Sequence, residues 1–523
     1  MHRFTTAVLA AGLLTSTAMA GEDLTRVATV PVGGEITGMF LVGDDLFFNV
    51  QHPSDDIPGK FAKATVGVIS NADYSAGESP VPTSDVDKQM VRSTLGTYQI
   101  LFQEGSFGGK MGSISGAGSE IKISNDPDFN AYVPTGSNQG YLFTNWEDRP
   151  GGMSRVKLTR DNDGTWTPPH PDDAMMIDFS AVKGTWVNCF GTLSPWNTPL
   201  TSEELYFDDT ADWNNKSYKY IGGVEDLASY LGDYPNPYDY GYIVEIADPA
   251  GTPTPVKQFA MGRYSHENTV VMPDRKTAYL SDDGTGVVFY KFIADVAGDL
   301  SSGTLYAAEI TQMGAPGSDA AKTELMISWI ELAHGTNEEI HRWVRQYDGI
   351  TPADYVEGQS NYISDDAVRA WAAGEGMDNR AAFLESRKAA VAKGATGEFR
   401  KIEGVNINLN GAANGSIPYM YMAMSEIGKT MSDDTGDIQL AENKCGVVYE
   451  MKLDANFNVS KMVPVVAGGV YDKNNQPNAC PLGQVANPDN VLVLDNGDVL
   501  IGEDTGAHEN NALWIWQRSG MAS

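Results

Sequence analysis

The chain has 523 residues and carries 69 Asp and Glu against 36 Lys and Arg, a net charge of -33. Such a field repels polyanions and gathers cations, which excludes nucleic acid as a partner. Hydrophobic residues make up 41% and glycine numbers 55, a composition that suits a loop-rich all-β chain better than a helical bundle, and β architectures of this length can form one domain.

Residues 1–20, "MHRFTTAVLAAGLLTSTAMA", open with one Arg, run through an apolar stretch and end in Ala-Met-Ala. That is the shape of a secretory signal peptide cut before Gly21. No later stretch offers the ~18 uninterrupted apolar residues of a membrane helix. The mature protein, residues 21–523, is therefore expected to be periplasmic or secreted, with no membrane span, and to act as a monomer. An oxidising compartment favours disulfides. Of the three cysteines, Cys445 and Cys480 are the closer pair in sequence and the expected bridge, which leaves Cys189 unpaired.

Along the mature chain, apolar strands end repeatedly in acids: "YLFTNWED" (141–148), "ELYFDD" (204–209), "AYLSDDG" (278–284), "YMAMSE" (421–426) and "VLIGEDTG" (499–506). Each is followed by a second β-rich run, such as "SRVKLTRD" (154–161) or "GVVYEMKLD" (446–454), and "LFFNVQHP" with "TVGVISNAD" supplies a degenerate sixth copy. Six strand-pair units at irregular spacing predict a six-bladed β-propeller whose equivalent strand ends line a central channel. From 320 to 393, runs such as "KTELMISWIELAH", "SDDAVRAWAAGEG" and "NRAAFLESRKAAVAKGA" have helical spacing and predict a helical insertion between late blades.

Acids that converge on a channel need counter-cations, and Ca²⁺ accepts six to eight oxygens from flexible loops. A single strand-end acid is most often a solvated turn residue, and an unpaired cysteine is most often a small buried hydrophobe. Five parallel strand ends with acids together with a free thiol favour metal, with Cys189 as a thiolate ligand. "GRYSHENTVV" (262–271) places Arg263, His266 and Glu267 before an apolar strand, and "FRKIEG" (399–404) does the same with Arg400, Lys401 and Glu403. The hairpin "NPDNVLVLDNGDVLIGEDTG" (487–506), turning at Asn-Gly, sends Asp489, Asn490, Glu503 and Asp504 to one end.

"NCFGTLSPWNTPLTSEE", "GRYSHE", "GATGEFRKIEG" and "NPDNVLVLDNGDVLIGEDTG" occur in the order found in the PhoX-type alkaline phosphatases, and "LFFNVQHP" and "GMSRVKL" also look like segments of that family. The resemblance runs from about Leu41 to Trp516. It implies a six-bladed propeller whose channel holds iron (Fe³⁺) bridged to calcium (Ca²⁺), and a small phosphorylated substrate hydrolysed as a monoester. By motif position Cys189 resembles the iron-binding cysteine, Glu267 and Glu403 the metal-bridging glutamates, and Asp489 a further acidic ligand. Glu203, Glu204, Asn490, Glu503 and Asp504 lie in matching motifs. Lys401 stands where the family usually has the arginine of the catalytic centre, and Arg263 is a second expected catalytic cation. The chain departs from the family in lacking twin arginines in its leader, in Phe190-Gly191 after the cysteine and in Ser202 where a second cysteine is usual. These departures leave open another hydrolase, a phosphodiesterase or lactonase, on the same scaffold, or a noncatalytic calcium-stabilised binding protein.

Overall fold

The computed structural model describes residues 23–356 and 362–518; the expected signal peptide lies outside the described residues. Antiparallel ladders dominate. One four-stranded sheet runs from Glu35–Val42 outward through Asp45–Gln51 and Thr65–Ile69 to Tyr98–Gln103. A second begins at Pro127–Gly136 and a third at Asn188–Leu193, each continuing outward through successive strands. A nine-stranded sheet starts at His266–Val271, crosses the long strands Asp299–Gln312 and Leu325–Thr336, and ends at Ile402–Ile407. The last sheet starts at Pro488–Val493 and is completed by the first strand of the chain, Leu24–Thr29, which pairs with Ala512–Trp516. Pairing the first and last described strands in one sheet removes two open edges.

Six inner strands, Glu35–Val42, Pro127–Gly136, Asn188–Leu193, His266–Val271, Ile402–Ile407 and Pro488–Val493, pack each against the next in a closed circuit. Apolar side chains fill the wedges between neighbouring sheets. Phe47 and Val66 meet Leu142 and Trp146 in one wedge, Phe129 and Phe143 meet Phe190 and Val244 in the next, and Val270 and Tyr279 meet Val405 and Met422 further round. Burying a large apolar side chain contributes roughly 1.5–3 kcal/mol, so these wedges fix how far each inner strand sits from the axis.

The helical reading of 320–393 needs a correction. Leu325–Thr336, "LMISWIELAHGT", is a strand hydrogen-bonded along Asp299–Gln312, from Leu325 opposite Gln312 to Thr336 opposite Ser302. Its first residues alternate buried and open, with Leu325 and Ile327 inward, which is strand periodicity. The switch to helix comes at Thr336, whose hydroxyl accepts from the Glu339 amide and caps Asn337–Val344. Helices Asp365–Ala372, Arg380–Leu384 and Ser386–Ala392 follow. The helix Ile221–Leu231 was not anticipated from sequence. Among the described residues no helix is long and apolar enough to cross a membrane.

Candidate metal centre

Each inner strand is interrupted by a β-bulge near its start. The ladder skips from Asn188 to Gly191, from His266 to Thr269, from Ile402 to Val405 and from Pro488 to Val491. Opposite Thr144 to Trp146 it skips from Asn130 to Pro127, and in the first sheet from Thr37 to Phe40. A bulge re-aims the side chains of the extra residues. The first bulged residue is Asp128, Cys189, Glu267, Glu403 and Asp489 in five strands, and Gly38 in the sixth. Two positions earlier, Val187, Lys401 and Asn487 hold φ of 47°, 52° and 44°. Left-handed backbone costs a non-glycine residue about 1–2 kcal/mol, and such strain clusters at functional sites.

The bulged side chains meet. Three groups, Asp128 with Glu147 and Cys189, Cys189 with Glu204 and Glu267, and Glu267 with Glu403 and Asp489, each bring their ligand atoms within 4.8 Å of one another. Shared members link the three groups into one chain of donors. Cys189 Sγ donates to Glu267 Oε2 at 3.3 Å, and the Cys189 carbonyl accepts from the Asn145 amide. A second tier comes from the neighbouring strand of each sheet, one residue beyond the partner of the pre-bulge residue: Glu147, Glu204, Asp283 and Asp504. Lys401 Nζ lies 2.8 Å from Glu403 Oε1 and 3.7 Å from Asp283 Oδ1, and Ser425 donates to Glu403 at 2.6 Å.

So many acids in so little water cannot all stay charged. Burial first, then Asp489 and Glu403, push the Glu267 carboxyl well above the usual range. Burial and Asp283 lift Glu403 to about 7 even though Lys401 and Ser425 oppose the shift. Glu147 also rises to about 7 through burial and Asp126. Burial and the surrounding acids raise the Cys189 thiol. Burial works against the Lys401 charge, but Asp283, Glu403 and Asp504 outweigh it and hold the ammonium on. Three buried oxygens, Asp128 Oδ2, Asp283 Oδ1 and Asp489 Oδ1, have no hydrogen-bond partner. Unpartnered carboxylate oxygens beside one thiol fit cations: oxygen-preferring ions for most of the donors and a thiolate-tolerant transition metal at Cys189.

The structure brings Cys189, Glu204, Glu267, Glu403 and Asp489 together, with Lys401 beside them. Asp504 acts electrostatically on Asp489 and Lys401. Asn490 turns its Oδ1 to the Gly38 amide at 2.9 Å and keeps a buried Nδ2 without a partner. The structure does not bring Glu203, Glu503 and Arg263 into this set. Glu203 pairs with Lys257 at 2.9 Å and accepts from the Trp186, Gly241 and Tyr242 amides. Glu503 accepts from the Ala486 and Ala512 amides and Trp514 Nε1 and meets His508. Arg263 turns away to the carbonyls of Pro237, Tyr240 and Leu384, so it holds loops together, and His266 is buried against Tyr264. Sequence reasoning missed Asp128, although "PDFN" at 127–130 repeats the Pro-Asp of "PDN" at 488–490. Glu147 and Asp283 stand in the strand ends "YLFTNWED" and "AYLSDDG", where the sequence alone marks no ligand. Cys445 and Cys480 form the expected disulfide.

A family model described as alkaline phosphatase PhoX matches residues 167–522. The chain belongs to the PhoX alkaline phosphatase family. It is thus a phosphatase, with metal cofactors implied for the acids just described. The PhoX match includes Cys189, Glu204, Glu267, Glu403 and Asp489, whereas Asp128 and Glu147 lie upstream of it. Among solved structures, Pseudomonas fluorescens PhoX in complex with vanadate, a transition state analogue, superposes with a TM-score of 0.52 at 16% identity, covering 94% of this chain and 89% of that one. That likeness gives the chain the β-propeller fold of PhoX. The calcium structure of a Trichoderma reesei family AA12 enzyme covers 95% of this chain and 97% of its own at a TM-score of 0.38 and 10% identity, a likeness too loose to decide anything. No curated protein sequence matches.

Proposed function

We propose that the protein is a periplasmic or secreted phosphatase that hydrolyses small phosphate monoesters at a calcium and iron centre on the axis of a six-bladed propeller. The observation that carries this reading is the bulge tier, in which five of six inner strands deliver Asp128, Cys189, Glu267, Glu403 and Asp489 to one linked set of donors. The nine-stranded sheet is then two blades joined edge to edge between Leu325–Thr336 and Lys461–Ala467, and the described residues form one propeller domain carrying the helices between Asn337 and Ala392 as an insertion. The apolar leader and the Cys445–Cys480 disulfide support export. The chain acts as a monomer.

In this reading Cys189 with Glu204 and Glu267 would hold iron, and Glu267, Glu403 and Asp489, together with Asp128 and Glu147, would offer oxygen donors to calcium. When bound, such cations neutralise phosphate oxygens, polarise phosphorus and acidify water. The chain's own residues supply the rest. The bulges hold the carboxylates in place before substrate arrives, which avoids reorganisation at the moment of reaction. Lys401, kept charged by Asp283 and Glu403, places an ammonium at the edge of the donor set where a phosphoryl oxygen needs one. Ser425 orients Glu403 from behind.

Purified protein supplied with calcium and iron is expected to hydrolyse p-nitrophenyl phosphate and to retain both metals on elemental analysis. Glu403→Gln should abolish turnover. A fully loaded protein with no turnover across neutral and alkaline pH refutes the reading.

A further inference from the structure

Arg149 follows Glu147 by two residues, on the loop leaving the strand Gln139–Trp146. Its backbone is tied down: the amide donates to Asp148 Oδ1 at 2.7 Å, and the carbonyl accepts from Lys122 Nζ at 3.0 Å. Its guanidinium is spent on nothing polar. The Nε is buried without a partner, and among the described residues no carboxylate lies within ion-pairing distance of the group. Aromatic rings hold it instead, with Tyr220, Tyr206 and Trp186 centred 4.8, 5.7 and 5.9 Å from the guanidinium carbon. Gly223, in the first turn of the helix Ile221–Leu231, makes room for the stem: a Cβ there would sit 2.7 Å from Arg149 Cβ and 2.9 Å from Cδ. This cage is bonded to the channel wall, because the Tyr206 hydroxyl donates to Asp283 Oδ2 at 3.2 Å and Asp283 in turn faces Lys401.

A caged arginine with free donors beside an acidic channel is unusual, since the acids nearby would ordinarily capture it. Its charge does reach Asp126 and Glu147, the latter grouped with Asp128 and Cys189. Lys401 is already engaged at 2.8 Å by Glu403. We propose that Arg149 is a second phosphoryl-oxygen ligand, whose planar fork grips two non-bridging oxygens of the substrate and so selects terminal phosphoryl groups, monoesters over diesters. A guanidinium suits this because its donors match phosphate geometry two at a time, which an ammonium cannot do. The inference rests on the phosphatase reading and adds a recognition residue to it.

The test uses the metal-loaded full chain, with Arg149→Met and Arg149→Lys. Steady-state kinetics with p-nitrophenyl phosphate and with its bis-ester, inhibition by inorganic phosphate, elemental analysis and melting temperature are measured in parallel. Losing a charged bidentate contact predicts that KM for the monoester and the inhibition constant for phosphate rise about 10- to 100-fold in Arg149→Met. Arg149→Lys should recover only part of this, the diester KM should hardly move, and metal content and melting temperature should match the unsubstituted protein. Unchanged KM and phosphate inhibition in both variants overturn the inference while leaving the phosphatase reading intact. So does a loss of metal or melting temperature that accounts for the kinetic loss, because Arg149 would then be a structural prop. An unsubstituted, fully loaded protein that neither hydrolyses the monoester nor binds phosphate overturns both.

Discussion

Glu203 has a lysine and three backbone amides for its two oxygens, whereas Glu204, one peptide bond on, has Asp283, Glu267 and Glu147 for neighbours. The same division recurs across the ring. Glu503 is saturated by amides, an indole and a histidine while Asp504 looks toward Asp489, and Asp282 binds Arg387 and the Val288 amide while Asp283 Oδ1 accepts no hydrogen bond and has only the Lys401 ammonium at 3.7 Å. Successive strand residues point to opposite sides, so these three strand ends each contribute one acid to the blade and the next acid to the axis. The blade acids hold the fold together, and the axis acids strain it in order to hold something else.

Substitution of a blade acid should have the largest effect on folding. Glu203 and Lys257 are both almost fully buried, with side chains 0% and 2% exposed. Removing one partner of such a pair strands the other charge, at about 3–5 kcal/mol. Glu203→Ala should therefore lower the melting temperature sharply, and Lys257→Met should do the same, while the fraction that remains folded keeps its metal. If Glu203→Ala left stability unchanged but emptied the metal centre, the division between blade and axis would fail.

A smaller effect is expected at the inner strand whose bulge position carries no acid. Gly38 occupies the bulge position held elsewhere by Asp128, Cys189, Glu267, Glu403 and Asp489, and it does so at φ 61°. A Cβ there would overlap the Asp128 carbonyl and the Asn49 amide. Gly38→Ala should cost about 1–3 kcal/mol from the backbone alone. It should also push Asp128 aside, so elemental analysis should show partial loss of metal. A variant with full metal content would show that Asp128 tolerates displacement and lies outside the donor set.

The ring itself was legible in the sequence because a propeller repeats its logic: apolar strand, acid, turn, apolar strand. Cys189, Glu267, Glu403 and Asp489 all stand one residue into an inner strand, so motif position placed them. The partition between Glu203 and Glu204, or Glu503 and Asp504, was not legible, because it depends on which residue pairs across the ladder and bulges shift that register. Arg263 misled for a related reason. It stands four residues before Glu267, but Gly262 at φ 86° and the turn around it send its side chain to loop carbonyls. The stretch 325–336 read as helix because its apolar residues fit either period, and only its partner strand, far longer than a typical strand, decides between them.

The smallest change in free energy gives the sharpest comparison. Glu204 is 2% exposed, and burial together with Asp283, Glu267 and Glu147 holds its carboxyl well above the usual range. Replacing it by the isosteric glutamine removes one of these repelling groups without opening a cavity. In protein stripped with a chelator, Glu204→Gln should therefore melt at or slightly above the temperature of the unsubstituted chain, a gain of at most about 1 kcal/mol at an axis position where the equivalent change in the blade costs several. Returning calcium and iron should reverse the order. Ligands that bind only the folded state stabilise it by RT ln(1 + [L]/Kd), about 2.7 kcal/mol at a hundredfold excess over Kd. The unsubstituted chain should gain that increment in full and the variant only part of it. Equal melting temperatures before and after metal for both proteins would mean that Glu204 carries no cation, and that the acids of the axis are held by the fold for its own sake.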